Sequence, residues 1–161
     1  DAYERGLKEK NFSIVIVGYQ GWNVEKLIYK IRNHPDYQNG IFYPDDVNDD
    51  ELQFLYKNCF ALVFPSLAEG YGLPIMEAMS KGVVVVAADT PINMETGGDH
   101  AVYYQKNSTE DLARKIAELA DDNQRYDRIK KGMSAFTPPT WKDCGDMFYE
   151  CLTHSDNNVD L

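Results

Sequence analysis

The sequence predicts an α/β domain built on a doubly wound parallel sheet, and three observations carry that expectation. Short apolar runs rich in Val, Ile and Ala alternate along the chain with stretches whose apolar residues recur at helical spacing. Glycine and proline punctuate the junctions, as at Gly18, Pro35, Pro74 and Gly82. The length of 161 residues, with 43% hydrophobic and 26% charged, suits one soluble domain around a single core.

Taken in order, residues 1–10 read as a helix leading directly into a strand, so the sheet's first strand is expected upstream of Asp1. Residues 13–17 form a β-branched run ended by Gly18, expected as a strand buried on both faces. Residues 22–32 carry Val24, Leu27, Ile28 and Ile31 at helical spacing, with Pro35 just past the stop. The alternation repeats with a strand at 40–43, a helix at 50–57, a strand at 61–64, a helix at 74–81 and a strand at 83–87. A short strand at 101–104 precedes a helix at 109–120, with Thr109 as its cap and Leu112, Ile116 and Leu119 facing inward. Residues 123–135 are a further helical stretch, broken by Thr137-Pro138-Pro139-Thr140, and a last helix runs from Trp141 to about Leu152. On it Trp141, Cys144, Met147, Phe148 and Cys151 share one face, expected to pack into the core rather than towards a second domain. The folded domain is placed at 1–154 and a flexible polar tail at 155–161.

Composition excludes several function classes. Asp and Glu number 26 against 16 Lys and Arg, and the net charge of -10 repels a phosphate backbone, so nucleic acid is not an expected partner. Cys59, Cys144 and Cys151 have the spacing of neither a zinc site nor a disulfide framework, which fits a reducing cytoplasm. No apolar run reaches the roughly 18–20 residues that a membrane helix needs. Membrane association is expected only through polypeptide outside this chain, if at all.

Chemistry concentrates between Phe64 and Met79, where an apolar strand ends, a loop with Gly70 and Gly72 follows, and a helix opens at Pro74. A helix N-terminus presents unpaired N–H groups and the positive end of the helix dipole, and glycines let an anion approach the backbone. A diphosphate suits that place. Glu69 in the loop and Glu77 one turn into the helix are placed to accept hydrogen bonds from hydroxyls on either side of it, a sugar on one and a ribose on the other.

Glu69 and Glu77, with seven residues between them, together with Phe64-Pro65-Ser66 and Gly70-Tyr71-Gly72-Leu73-Pro74, closely resemble the E-x7-E region of the group 1 (family 4-like) glycosyltransferases. The resemblance extends from Ile14-Val15-Ile16-Val17-Gly18 through Asp50-Glu51-Leu52 and Leu55-Tyr56 to Gly98-Asp99 and Trp141. It implies the Rossmann-like C-terminal half of a retaining GT-B enzyme, which transfers a sugar from a UDP- or GDP-linked donor to a hydroxyl acceptor. Glu69 would then be the catalytic residue and contact the sugar, while Glu77 would hold the ribose. Gly70, Tyr71, Gly72 and Leu73 would receive the diphosphate and sugar through backbone amides. Gly18 and Val47 would complete the donor site, the loop 43–47 lying beside the base. The resemblance implies no metal and no cofactor, and Asp45-Asp46 and Asp49-Asp50 read as a solvated cluster that starts a helix.

The sequence also departs from the family. Its members usually carry an Arg and a Lys just after the opening strand, aimed at the diphosphate, and no such pair is assignable here; Arg5 and Lys8 read as surface charges. Asn93-Met94-Glu95-Thr96 stands where relatives often have Pro-Glu-Val. The acceptor-binding N-terminal domain is missing from the chain, which is expected to be inactive alone. Two alternatives remain open at this level: a noncatalytic nucleotide-sugar-binding module and a GT-B sugar-nucleotide epimerase.

Overall fold

The computed structural model describes residues 1–18, 20–133 and 136–154. The chain opens with a helical turn, Tyr3–Leu7, followed by β1 (Ile14–Val15), α1 (Glu25–Arg32), β2 (Ile41–Phe42), α2 (Asp49–Asn58), β3 (Ala61–Phe64) and α3 (Leu73–Ser80). Then come β4 (Val84–Ala88), α4 (Pro91–Gly97), a single turn at Gly98–His100, β5 (Val102–Tyr104), α5 (Thr109–Asp121), α6 (Asn123–Met133) and α7 (Trp141–His154). All paired strands are parallel, as the alternation predicts: β1 with β2, and β3, β4 and β5 in that order.

The core is organised about β4, whose residues Val84 to Ala88 are all at 0% exposure. Its alternate side chains enter two cores. Val84, Val86 and Ala88 meet Tyr3 and Leu7 of the opening turn and Ile116 and Leu119 of α5. Val85 and Ala87 meet Tyr56 of α2 and Ile75, Ala78 and Met79 of α3. Helices therefore cover both faces of the β4 sheet, the three-layer arrangement expected from an apolar parallel sheet. Each fully buried valine, leucine, isoleucine or methionine among them contributes about 1.5–3 kcal/mol.

Local signals fix the helix starts. Asn48 caps α2, its Oδ1 accepting from the Glu51 N–H at 3.0 Å while Glu51 Oε2 accepts from the Asn48 N–H at 3.0 Å. For α5 the cap is Ser108, whose Oγ accepts from the Asp111 N–H at 3.1 Å, one residue before the Thr109 that the sequence suggests. Helix α4 lies outside the expected elements; Thr90 caps it and Pro91 opens it.

Other expectations need correction. The helix at 1–10 is only a five-residue turn, because Arg5 and Gly6 leave helical geometry, Gly6 at φ 125°. The run at 13–17 is not buried on both faces: Ile14 and Ile16 turn inward while Val15 and Val17 are 43% and 42% exposed, since this strand pairs on one side only. The sheet is likewise not continuous among the described residues, as no ladder joins β1 to β3. Their starts are nonetheless neighbours, with the Phe12 and Phe60 rings 5.0 Å apart and Phe60 stacked on Tyr126 at 4.5 Å.

Helix α7 does not enter the core. Trp141 is 93% exposed, and Met147 and Phe148 are more than half exposed. Arg5 and Lys8 are surface charges as expected, paired with Glu110 at 2.9 Å and Asp36 at 2.7 Å. The tail 155–161 and the last two residues of the stretch 123–135 lie outside the described residues. Among the described residues no helix is long and apolar enough to cross a membrane.

Candidate functional site

The loop that leaves β3 at Phe64 returns to the fold at Gly72, the N-cap of α3. Gly72 is buried and left-handed, at φ 74° and ψ 37°, a conformation that β-carbon sterics disfavour in other residues. No side chain caps this helix, unlike α2, α4 and α5, and Pro74 stands in its first turn. The result is a glycine-lined turn feeding an apolar helix whose leading backbone donors have no side-chain partner. Such an end favours an anion.

Glu77 sits in the second turn of α3 with its carboxylate exposed, and Glu69 is exposed in the loop. The Tyr56 hydroxyl, from the inner face of α2, donates to Glu77 Oε2 at 3.3 Å. Burial, followed by the negative charge of Glu77, pushes the Tyr56 phenol up to about 12. Tyr56 therefore remains a proton donor to the carboxylate throughout the neutral range. Lys81 Nζ lies 5.0 Å from the Tyr56 ring centroid, a cation over the face of the same ring.

Helix α4 supports the loop from below. Asn93, fully buried, donates through Nδ2 to the carbonyls of Ser66 at 3.1 Å and Ala88 at 3.0 Å. Thr96 Oγ1 donates to the Tyr71 carbonyl at 2.8 Å.

A separate hollow of about 450 Å³ opens beside β2 and α2, lined in part by Val15, Phe42, Tyr43, Pro44, Asp46, Val47 and Phe54. It contains Val47 and most of the loop expected beside the base. Gly18 follows β1 in open surroundings, and neither it nor Glu69 lines this hollow. Thus Gly70 to Leu73 and Glu77 lie on one continuous loop and helix, Val47 on a second loop, and Gly18 on a third. No group of three or more His, Cys, Asp or Glu suited to a metal occurs among the described residues.

Sequence reasoning missed Tyr56, Asn93 and Thr96. Tyr56 lies four positions after Leu52, and both face the α3 side of the fold, so helical periodicity marks its side but not its partner. The Thr90-Pro91 pair is a helix-start signal, and it would have placed Asn93 and Thr96 on one face of α4.

The sequence profile of the family described as Glycosyl transferases group 1 matches residues 2–134. Among curated proteins, the chain is 37% identical over 118 residues to the serotype-specific mannosyltransferase WbdA of Escherichia coli, covering 73% of this chain and 14% of that protein. It is 30% identical over 134 residues to the O-antigen chain mannosyltransferase B of Escherichia coli, covering 83% of this chain and 35% of that protein. The chain thus spans about a third or less of these relatives. Among solved structures, the C-terminal domain of a glycosyl transferase group 1 family protein (LpcC) from Francisella tularensis superposes with a TM-score of 0.69 at 20% identity, over 82% of this chain and 71% of that one. The catalytic domain of starch synthase IV from Arabidopsis thaliana, bound to ADP and acarbose, gives 0.76 at 16% identity, over 96% of this chain and 34% of that one.

Proposed function

The chain belongs to the group 1 glycosyl transferases, and on that footing we propose that it is the donor-binding domain of a retaining enzyme that transfers a mannosyl group from a nucleoside diphosphate sugar to a hydroxyl acceptor. The observation that carries this reading is the glycine-lined turn onto the uncapped start of α3, with Glu77 in that helix held by Tyr56. The choice of sugar rests on the two mannosyltransferase relatives, one at 37% and one at 30% identity.

In this reading the diphosphate lies against the backbone amides from Gly70 to Leu73. As the glycosyl bond breaks, negative charge grows on the departing diphosphate while the sugar becomes oxocarbenium-like, and prearranged donors stabilise that charge. Glu69 contacts the sugar and Glu77 takes the ribose hydroxyls. Val47 and its loop border the base, and Gly18 faces the donor from the end of β1. No metal takes part. The acceptor is bound by an N-terminal domain outside this chain, so the chain alone binds donor without turning it over, and the working enzyme is cytoplasmic.

Calorimetric titration with GDP-mannose and with a UDP-sugar tests the reading. Binding of one donor, weakened about tenfold or more in Glu77→Ala, is the expected result, the loss matching charge-assisted hydrogen bonds to hydroxyls. No binding of either donor by the folded chain would overturn it.

A further inference from the structure

Helix α4 touches the candidate donor loop at two points, and both contacts come from the part of the sequence that departs from the family pattern. Asn93 and Thr96 are three residues apart, so they share one face of the helix. From that face Asn93 Nδ2 reaches the Ser66 carbonyl at 3.1 Å and Thr96 Oγ1 reaches the Tyr71 carbonyl at 2.8 Å. Ser66 and Tyr71 are the two shoulders of the segment that carries Glu69 and Gly70. Thr96 also abuts Gly72, where a β-carbon would stand 3.2 Å from its Oγ1.

The helix making these contacts is itself fixed. Asn93 ties it to β4 through the Ala88 carbonyl at 3.0 Å, and the Tyr103 hydroxyl, from β5, donates to the Gly98 carbonyl at 2.8 Å just past the helix end. Asn93 is at 0% exposure and its Oδ1 has no protein partner. A buried amide with one atom unsatisfied lowers stability, and an aliphatic side chain at that position would avoid the loss. What the amide provides in return is the link from the sheet to the loop.

We propose that Asn93 and Thr96 are positioning residues for donor binding. One face of α4 holds both shoulders of the loop, so that the amides from Gly70 to Leu73 point as a set and Glu69 projects at a fixed height above them. The proposal rests on the donor-site reading above, and its test separates the two.

Thr96→Val keeps the side-chain shape and removes the hydroxyl, and Thr96→Ser keeps the hydroxyl. Backbone nitrogen-15 order parameters of residues 66–72 measure loop order without ligand, and calorimetric titration with GDP and with inorganic pyrophosphate measures its use. Thr96→Val should lower the melting temperature by only about 2–4 °C, drop the loop order parameters toward about 0.6, the flexible range, and weaken both ligands about fivefold, the factor that one net hydrogen bond is worth. Thr96→Ser should restore these values. Unchanged loop order parameters in Thr96→Val overturn the clamp. Lower order parameters with unaltered affinity for GDP and pyrophosphate overturn its role in binding. A wild-type chain that takes up neither ligand defeats the donor-site reading, while the relaxation data still decide whether α4 orders the loop.

Discussion

The Tyr56 hydroxyl donates to Oε2 of Glu77 across the packing of α2 on α3, so a core residue 21 positions away orients an exposed carboxylate. Tyr56→Phe keeps the ring in its core and removes only the donor, at a stability cost of about 1 kcal/mol. If Glu77 holds a ribose, the variant should bind GDP about fivefold more weakly yet bind 2′,3′-dideoxy-GDP as the wild type does. Equal losses for both nucleotides would show that Tyr56 acts on packing rather than on the carboxylate.

Alkaline titration should reveal the same phenol. Burial, with the nearby charges of Glu77 and Asp99 respectively, pushes Tyr56 and Tyr103 up to about 12 from the ordinary value of 10.0. A folded pKa above the unfolded one means that the contribution to stability is complete below pH 10 and is lost as pH rises through 12. Ultraviolet titration of the phenolates should therefore show a late component that shrinks in Tyr56→Phe and in Tyr103→Phe, with denaturant midpoints falling over the same interval.

Gly72 and Gly70 respond differently to alanine. At Gly72 the left-handed backbone costs an L-residue about 1–2 kcal/mol, and the added methyl group presses on Thr96. Gly70 has open space where a β-carbon would stand. Urea unfolding should show Gly72→Ala destabilised by about that amount, and Gly70→Ala within about 0.5 kcal/mol of wild type.

The start of α5 can be checked by paired substitutions. Ser108→Ala removes the oxygen that accepts from the Asp111 N–H and should cost about 1 kcal/mol. Thr109→Ala, already inside the helix, should cost much less. Equal effects in thermal unfolding would return the cap to Thr109.

Much of the fold is legible in the residues. The strand at Ala61–Phe64 falls at its expected bounds because the preceding helix ends at Asn58 and Pro65-Ser66 stop the apolar run, and α3 is announced by Gly72 and Pro74. Features set by distant partners are not legible. Nothing local in residues 13–17 says that one face stays open, because exposure depends on what lies beside and above the strand. Helix α4 escapes because its seven residues include a terminal glycine and no clear apolar period, so only Thr90 and Pro91 mark it. The same holds for the site: Glu69, Glu77 and the glycines stand out as a pattern, but the residues that orient them are reached only through tertiary contacts.

Among the described residues no ladder joins β1 to β3, and this has a colloidal consequence. A strand edge with unpaired N–H and C=O groups is a template for another chain, and here two such edges border Val15, Val17 and Val63, all more than a third exposed. What holds copies apart near neutral pH is mutual repulsion from a net charge of -10, and that repulsion fades as pH approaches the isoelectric point near 4.7. Mild acid and added salt should both drive the chain to associate edge to edge before it unfolds, so light scattering would rise while the helical circular dichroism signal persists.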